Sequence, residues 1–340
     1  MIPTRRLRMR RLQSLTAASA LVVTGLMFPA TAHATPAPDS HAHVTSLGHV
    51  RGSLWDITVH SPAMGADIPF QLIRPPGAPP GAPTVYLLNG AGGGEDGSGW
   101  LEETDALHFY ADKRVNVLIP QRGSGTLYTD WIADDPQVGR PMWQTFLTKE
   151  LPPVIDAALN TNGRNAIVGL SMSATSVLDL ATAAPGLYRS VASISGCAQT
   201  STPVGQAAVR GIVYSSGADP DNMWGPAGSP LWAQHDPLVN AEKLRGTALY
   251  LSSGDGRAGK YDNEQSAPPG APPVENRIVV GGAIEAGARF CTEAMAERLA
   301  ALSIPATIHL PATGTHSWRY FQDELHRSWP TIDAGLHAGR

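Results

Sequence analysis

Ile167-Val168-Gly169-Leu170-Ser171-Met172-Ser173-Ala174 is an apolar strand that runs, without a spacer, into small helix-compatible residues, with a serine at the junction. A tight strand-to-helix turn crowds the positions two before and two after its central residue, which is why such elbows read Gly-x-Ser-x-Gly. Gly169 meets that demand, and Ser173, although not glycine, is small enough for the space. A serine here stands at a helix amino terminus, where the N–H of Met172 points at a reacting oxygen. Its hydroxyl is a poor nucleophile until a base takes the proton.

The flanking sequence gives this elbow a sheet to sit on. Residues 85–88, 115–119, 166–168, 191–194 and 248–251 are short, nearly continuous apolar runs, as expected of parallel strands buried on both faces. Helix-like stretches at 142–159, 174–184 and 286–302 alternate with them, which predicts an α/β fold with a mostly parallel central sheet of at least five strands. Residues 55–59 and 68–73 alternate apolar and polar side chains between Pro and Gly, and predict antiparallel strands at the amino-terminal edge. The Pro-rich stretch 267–273 reads as a long loop on the active side, because strand and helix signals continue beyond it.

Five arginines before residue 12, an apolar stretch from Leu15 to about Phe28 and Ala32-His33-Ala34 make residues 1–34 a secretory signal peptide. Arg10-Arg11 leaves a twin-arginine route open. Residues 35–45, rich in Ala, Pro and His, are expected to form a mobile lead-in, with order beginning near Leu47 and one catalytic domain filling 46–340. Removing the leader takes Lys+Arg from 25 to 20 against 29 Asp+Glu, so a charge of −4 becomes −9 and nucleic-acid binding is excluded. The chain holds two cysteines, Cys197 and Cys291, both in the exported part, which predicts one disulfide.

The base for Ser171 should be a histidine further along the chain, since elbow enzymes order their triad as Ser, acid, His. Of the eleven histidines, five follow the elbow, and with His337 set aside near the tail, His235, His309, His316 and His326 remain. His316 lies directly after the strand-like 306–310, where a loop at the carboxyl edge of the sheet would present it. For the acid, spacing slightly favours Asp255 in Gly254-Asp255-Gly256, with Asp262, Glu275 and Glu285 also in range. The glycine-rich loop Leu88-Asn89-Gly90-Ala91-Gly92 lets the backbone approach an acyl oxygen, with the Ala91 N–H as second donor beside Met172.

Assembled, these pieces resemble the antigen 85 mycolyltransferases and their corynebacterial relatives, secreted α/β-hydrolases. The likeness is carried by Val85-Tyr86-Leu87-Leu88-Asn89-Gly90, Leu127-Tyr128-Thr129-Asp130-Trp131, Gly169-Leu170-Ser171-Met172, Met223-Trp224-Gly225-Pro226 and Gly314-Thr315-His316-Ser317-Trp318, in matching order. The resemblance implies an α/β-hydrolase fold and moves the acid to Glu285, 31 residues before His316 in an Ile284-Glu285 context, with Asp255 as alternative. A Cys197–Cys291 bridge would then tie the acid-bearing segment to the loop beyond the elbow. Trp318 and Asn89 fall where a substrate would be bound. The family's Asp-Gly-Leu-Arg is replaced by Asn89-Gly90-Ala91-Gly92, which removes an acidic and a basic group from the sugar pocket.

The expected function is a secreted serine acyltransferase that moves a mycolyl or other long acyl chain between trehalose-type esters through an acyl-enzyme. A carboxylesterase with the same triad is the alternative, and a non-catalytic cell-wall or matrix-binding protein is the second. No cofactor or metal is implied. The expected partners are acylated carbohydrates or lipid esters and the surface of the cell envelope, not nucleic acid.

Overall fold

Apolar runs that bury both faces of a strand need a core on each side of the sheet, and the chain builds two. The computed structural model describes residues 41–76, 79–266 and 272–338, so the leader expected over 1–34 lies outside the described residues. Nine strands form one sheet: β1 (His43–Arg51), β2 (Leu54–Ser61), β3 (Ala66–Ile73), β4 (Thr84–Leu88), β5 (Asn116–Pro120), β6 (Asn165–Leu170), β7 (Tyr188–Ile194), β8 (Ala248–Ser252) and β9 (Thr307–His309). Their order is β1-β2-β3-β5-β4-β6-β7-β8-β9. The first three pair antiparallel and β3 joins β5 antiparallel, while β4 to β9 run parallel. β1 begins inside the stretch expected to be a mobile lead-in, with His43 opposite His60, so pairing starts before Leu47.

Four helices matter for the site: α1 (Leu151–Leu159), α2 (Met172–Ala183), α3 (Gly282–Ala301) and α4 (Trp318–His337). On one face of the sheet Tyr86, Leu88, Ile167, Val191 and Leu249 pack with Leu151 and Ile155 of α1, Val177 of α2 and Met295 of α3. On the other, Val85, Leu87, Val168, Ala192 and Tyr250 pack with Phe321, Leu325, Ile332 and Leu336 of α4. Alternate residues of the same strand thus serve opposite cores, which explains why these strands read as unbroken apolar runs. The segment expected to be helical from Met142 contains a π turn, Phe146–Glu150, ahead of α1. There the Glu150 carboxylate accepts from Ser61 Oγ at 2.6 Å and the Ala63 N–H at 2.9 Å, which fastens the helix to the end of β2.

The parallel strands deliver their carboxyl ends to one edge. Asn89, Ser171, Ser195 and Ser253 each follow a strand at that edge, as expected where an open α/β sheet holds its ligands.

Beyond β5 the chain is pinned by Asp135, which is buried and accepts from the Gln137, Val138 and Asp219 amides and from Asn222 Nδ2 at 2.8–3.3 Å. Burial opposes its ionisation, but those hydrogen bonds outweigh it and hold the carboxyl below the usual carboxylate range. A depressed folded-state pKa gives stability that is present above the unfolded value of about 3.9 and is lost as pH falls through the folded one. Asp135→Asn should therefore cost about 1–3 kcal/mol at pH 7. Urea unfolding at pH 7 and at pH 3 should show that deficit shrinking in acid, and a deficit equal at both pH values contradicts the assignment.

Candidate active site

Ser171 is the sole residue between β6 and α2, and it sits at φ 53°, ψ −120°. A non-glycine residue held there costs on the order of 1–3 kcal/mol, which the surroundings must offset. Its own N–H donates to the Ile194 carbonyl at 2.9 Å, and the Ala174 N–H donates back to the Ser171 carbonyl at 3.1 Å. The crowding that the elbow motif encodes is visible: a Cβ on Gly169 would lie 2.4 Å from the Ser173 carbonyl oxygen. Ser173 does more than fit. Its Oγ receives the Leu170 N–H at 3.0 Å and lies 3.0 Å from both the Leu88 and Leu170 carbonyls, so it fastens the ends of β4 and β6 together.

His316 Nε2 lies 2.8 Å from Ser171 Oγ, and its Nδ1 lies 2.7 Å from Glu285 Oε2. A carboxylate only accepts, so Nδ1 carries the hydrogen and the Nε2 lone pair faces the serine hydroxyl. Glu285, near the start of α3, is 1% exposed, and its other oxygen is fully engaged. Oε1 accepts from Ser195 Oγ at 2.7 Å, Ser253 Oγ at 2.9 Å and the Gly254 N–H at 2.6 Å. The Phe321 ring meets the imidazole edge-on at 4.9 Å, the main-chain N–H of His316 donates to the Gly281 carbonyl at 3.1 Å, and the neighbouring Thr315 donates to Asp262 Oδ1 at 2.6 Å. Asp262 also accepts from the Tyr320 hydroxyl at 2.7 Å and the Gly259 N–H at 2.8 Å. Burial first, and then this bond to Asp262, pushes the Tyr320 hydroxyl well above its ordinary range and keeps it a donor.

A serine, an imidazole and a buried carboxylate in line can move one proton off the hydroxyl and hold the resulting positive charge, which is the chemistry of acyl transfer. Most of the chain has relatives with that chemistry in their names. Residues 61–332 match the family described as "Putative esterase". This chain belongs to the esterase family. Its sequence is 30% identical over 292 residues to the diacylglycerol acyltransferase/mycolyltransferase Ag85A of Mycobacterium leprae, which covers 83% of both chains. It is 30% identical over 293 residues to Ag85C of the same species, covering 83% of this chain and 81% of that one. The crystal structure of Mycobacterium tuberculosis MPT51 (FbpC1) superposes with a TM-score of 0.67 at 26% identity, over 82% of this chain and 96% of that one. An S-formylglutathione hydrolase from Agrobacterium tumefaciens shares the fold at a TM-score of 0.60 and 15% identity, over 86% of this chain and 99% of that one. The resemblance drawn from the motifs thus holds along the chain, and the fold is that of the α/β-hydrolases.

In this esterase the remaining site residues divide. The Met172 and Ala91 amides have no hydrogen-bond partner among the described residues, and a Cβ on Gly90 would lie 3.0 Å from Leu170 Cδ1 and 3.8 Å from Ser171 Cβ. The loop carrying Ala91 therefore lies against the serine. Asn89 is a correction: it is fully buried, donates from Nδ2 to the Pro120 carbonyl at 2.9 Å, and accepts the Trp100 N–H at 3.3 Å. Its amide closes the loop and is not offered to a ligand. Asp255 is a second correction, because its carboxylate pairs with Arg257 Nε at 2.6 Å while Glu285 occupies Nδ1 of His316. Trp318 is half-buried, donating from Nε1 to Ser98 Oγ at 3.0 Å and meeting Trp100 and Phe321 edge-on. The other downstream histidines have carboxylates of their own: Asp179 for His235, Glu324 for His309 and Asp105 for His326. Among the described residues no three His, Cys, Asp or Glu side chains converge as metal ligands. Sequence reasoning missed Ser195 and Ser253, whose only signal was that each follows a strand end, and weighed Asp262 as a candidate acid, whereas it accepts from Thr315 beside His316.

The Cys197–Cys291 disulfide joins the loop after β7 to α3 across a sequence separation of 94 residues. It lies two residues beyond Ser195 and six beyond Glu285, so both sides of the carboxylate cage are braced by it. Cys197→Ser with Cys291→Ser should lower stability by about 2–5 kcal/mol, read as a lower urea midpoint than the oxidised parent. Asp262→Ala should lower kcat by about tenfold to a hundredfold with little change in KM, because it loosens the His316 loop without touching substrate. Recovery of part of the loss in Asp262→Asn, which keeps an acceptor for Thr315, would mark the effect as positional. A change confined to KM would contradict it.

Proposed function

We propose that this esterase-family chain forms an acyl-enzyme on Ser171 and passes the acyl group to a carbohydrate hydroxyl. The observation that carries the reading is the 2.8 Å approach of His316 Nε2 to Ser171 Oγ with Glu285 at 2.7 Å behind the ring. In the first half-reaction Ser171 Oγ bonds to the ester carbonyl carbon as its proton passes to His316 Nε2. The carbonyl oxygen gains negative charge and receives the Met172 and Ala91 N–H groups. Collapse breaks the bond to the leaving alcohol, which takes the proton from His316. In the second half-reaction an acceptor hydroxyl gives its proton to His316, its oxygen attacks the acyl carbon, and Ser171 regains its hydrogen. Glu285 stays ionised throughout and offsets the imidazolium charge.

Acyl transfer is favoured by the relatives, which are named as acyltransferases. A long acyl donor is favoured by the apolar side chains beside the site. Val279, Val280 and Ile284 are at least half exposed on the segment that also supplies Gly281 to His316. A trehalose ester as donor follows from the antigen 85 resemblance. Export is supported by the leader-like residues 1–34 and by the disulfide, and no helix among the described residues is long and apolar enough to cross a membrane.

The test is turnover of a trehalose monoester of a long fatty acid, counting diacylated trehalose and free fatty acid. Wild type should form the diester, and Ser171→Ala should lose on the order of 10⁴-fold or more in rate. Free acid as the sole product makes the chain a hydrolase with the same intermediate. Turnover unchanged in Ser171→Ala rejects the acyl-enzyme.

A further inference from the structure

A buried cation normally has a carboxylate beside it, because taking a charge out of water is costly. Arg277 departs from that rule. It is 7% exposed, and its hydrogen bonds among the described residues go to two main-chain carbonyls, from Nη1 to Tyr261 at 3.1 Å and from Nη2 to Asn263 at 2.9 Å. Nε has no partner among them. A guanidinium holds its N–H groups in one rigid plane, so bonds from its two ends to residues 261 and 263 fix the chain on both sides of Asp262. A methionine of similar length would fill the space without the cost of desolvation, but it could hold neither carbonyl.

What this clamp holds bears on the histidine. Asp262 is the acceptor for Thr315, the residue before His316, at 2.6 Å. The main-chain N–H of His316 donates to Gly281 at 3.1 Å, and Gly281 ends a π turn, Arg277–Gly281, that leads into α3. Arg277 thus belongs to both supports of the histidine loop: it clamps the strap that bears Asp262, and it starts the turn that bears Gly281. The strap is also tied to α4, where the Tyr261 hydroxyl donates to Asp323 at 3.0 Å and the Tyr261 N–H donates to the Tyr320 hydroxyl at 3.2 Å. Arg277 ties it instead to the entrance of α3, the helix of Glu285. One guanidinium therefore joins the element that carries the acid to the strap that steadies the base.

We propose that Arg277 is a positioning residue, which keeps the His316 ring in line with Glu285 by holding Asp262 to the start of α3. Its effect on turnover rests on the acyl-enzyme proposed above, whereas its hold on the histidine does not. The test therefore has two readouts. The first is hydrolysis of p-nitrophenyl butyrate by wild type, Arg277→Met, Arg277→Lys, Asp262→Ala and the double variant of Arg277→Met with Asp262→Ala, each well below its own thermal midpoint. Arg277→Met should lower kcat about tenfold with KM within about twofold, and Arg277→Lys should recover part of the loss, since an ammonium reaches one carbonyl but not both. Added to Asp262→Ala, Arg277→Met should cost less than about twofold more, because both changes act on one contact. The second readout needs no turnover. In Ser171→Ala protein, the proton between His316 Nδ1 and Glu285, observed downfield by NMR and identified by its loss in His316→Gln, should exchange with water about tenfold faster once Arg277→Met is added. An unchanged exchange rate overturns the proposal. In an active wild type, an unchanged kcat, a change confined to KM or a double variant whose losses multiply overturns it too. A wild type that is silent toward this ester and the trehalose monoester, while the exchange still quickens, rejects the acyl-enzyme and leaves the positioning role standing.

Discussion

Taking a carboxylate out of water costs several kcal/mol unless its oxygens are satisfied, and Glu285 is taken out almost completely. The donors that satisfy it come from three places far apart in the chain: Ser195 after β7, Ser253 and Gly254 after β8, and His316 beyond β9. None of these groups lies on α3, so the carboxylate is satisfied only when the helix, both strand ends and the histidine loop are in place together. The orientation of the imidazole is therefore a consequence of solvation as much as of design for chemistry. The disulfide and Asp262 act on the same elements from outside, one holding α3 to the loop after β7 and the other holding Thr315.

Ser171 is fixed by a different mechanism. Its backbone conformation is unfavourable in itself and is enforced by the sheet, through the Ile194 carbonyl on one side and the Ser173 hydroxyl under the turn on the other. Ser171 is thus anchored to β4, β6 and β7, while His316 is anchored to loops and to α3. The two sets meet at the 2.8 Å contact between Ser171 and His316 and again behind it, where Ser195 after β7 donates to Glu285 and Thr175 of α2 bonds Cys197 of the disulfide.

This division also explains what could be read from the sequence. The elbow and the sheet were legible because steric demands write themselves locally: Gly169 where no Cβ fits, and apolar residues at every position of a strand with two cores. His316 was legible because it follows a strand directly. The acid was not, since local spacing pointed to Asp255, whose side chain Arg257 captures two residues later, and only the family resemblance pointed to Glu285. A glutamate on a helix acquires its meaning from serines on two other strands, and no local pattern records that convergence. Asn89 misled for a related reason: the turn after β4 buries a backbone N–H at Trp100 and a carbonyl at Pro120, and the asparagine amide is spent on them. The start of β1 at His43 was hidden by a composition rich in Ala, Pro and His, which reads as a tail until a partner strand is there to pair with it.

The geometry treats transfer and hydrolysis as two regimes of one intermediate. The loop carrying Ala91 lies against Ser171 at Gly90 and is tied to Ser124 through the Ala91 carbonyl. Groups held in line with a reacting atom reach effective molarities of about 10⁵–10⁸ M, far above what a freely diffusing acceptor offers. An acyltransferase and a hydrolase with the same three residues would differ in whether an acceptor hydroxyl is held beside the acyl group.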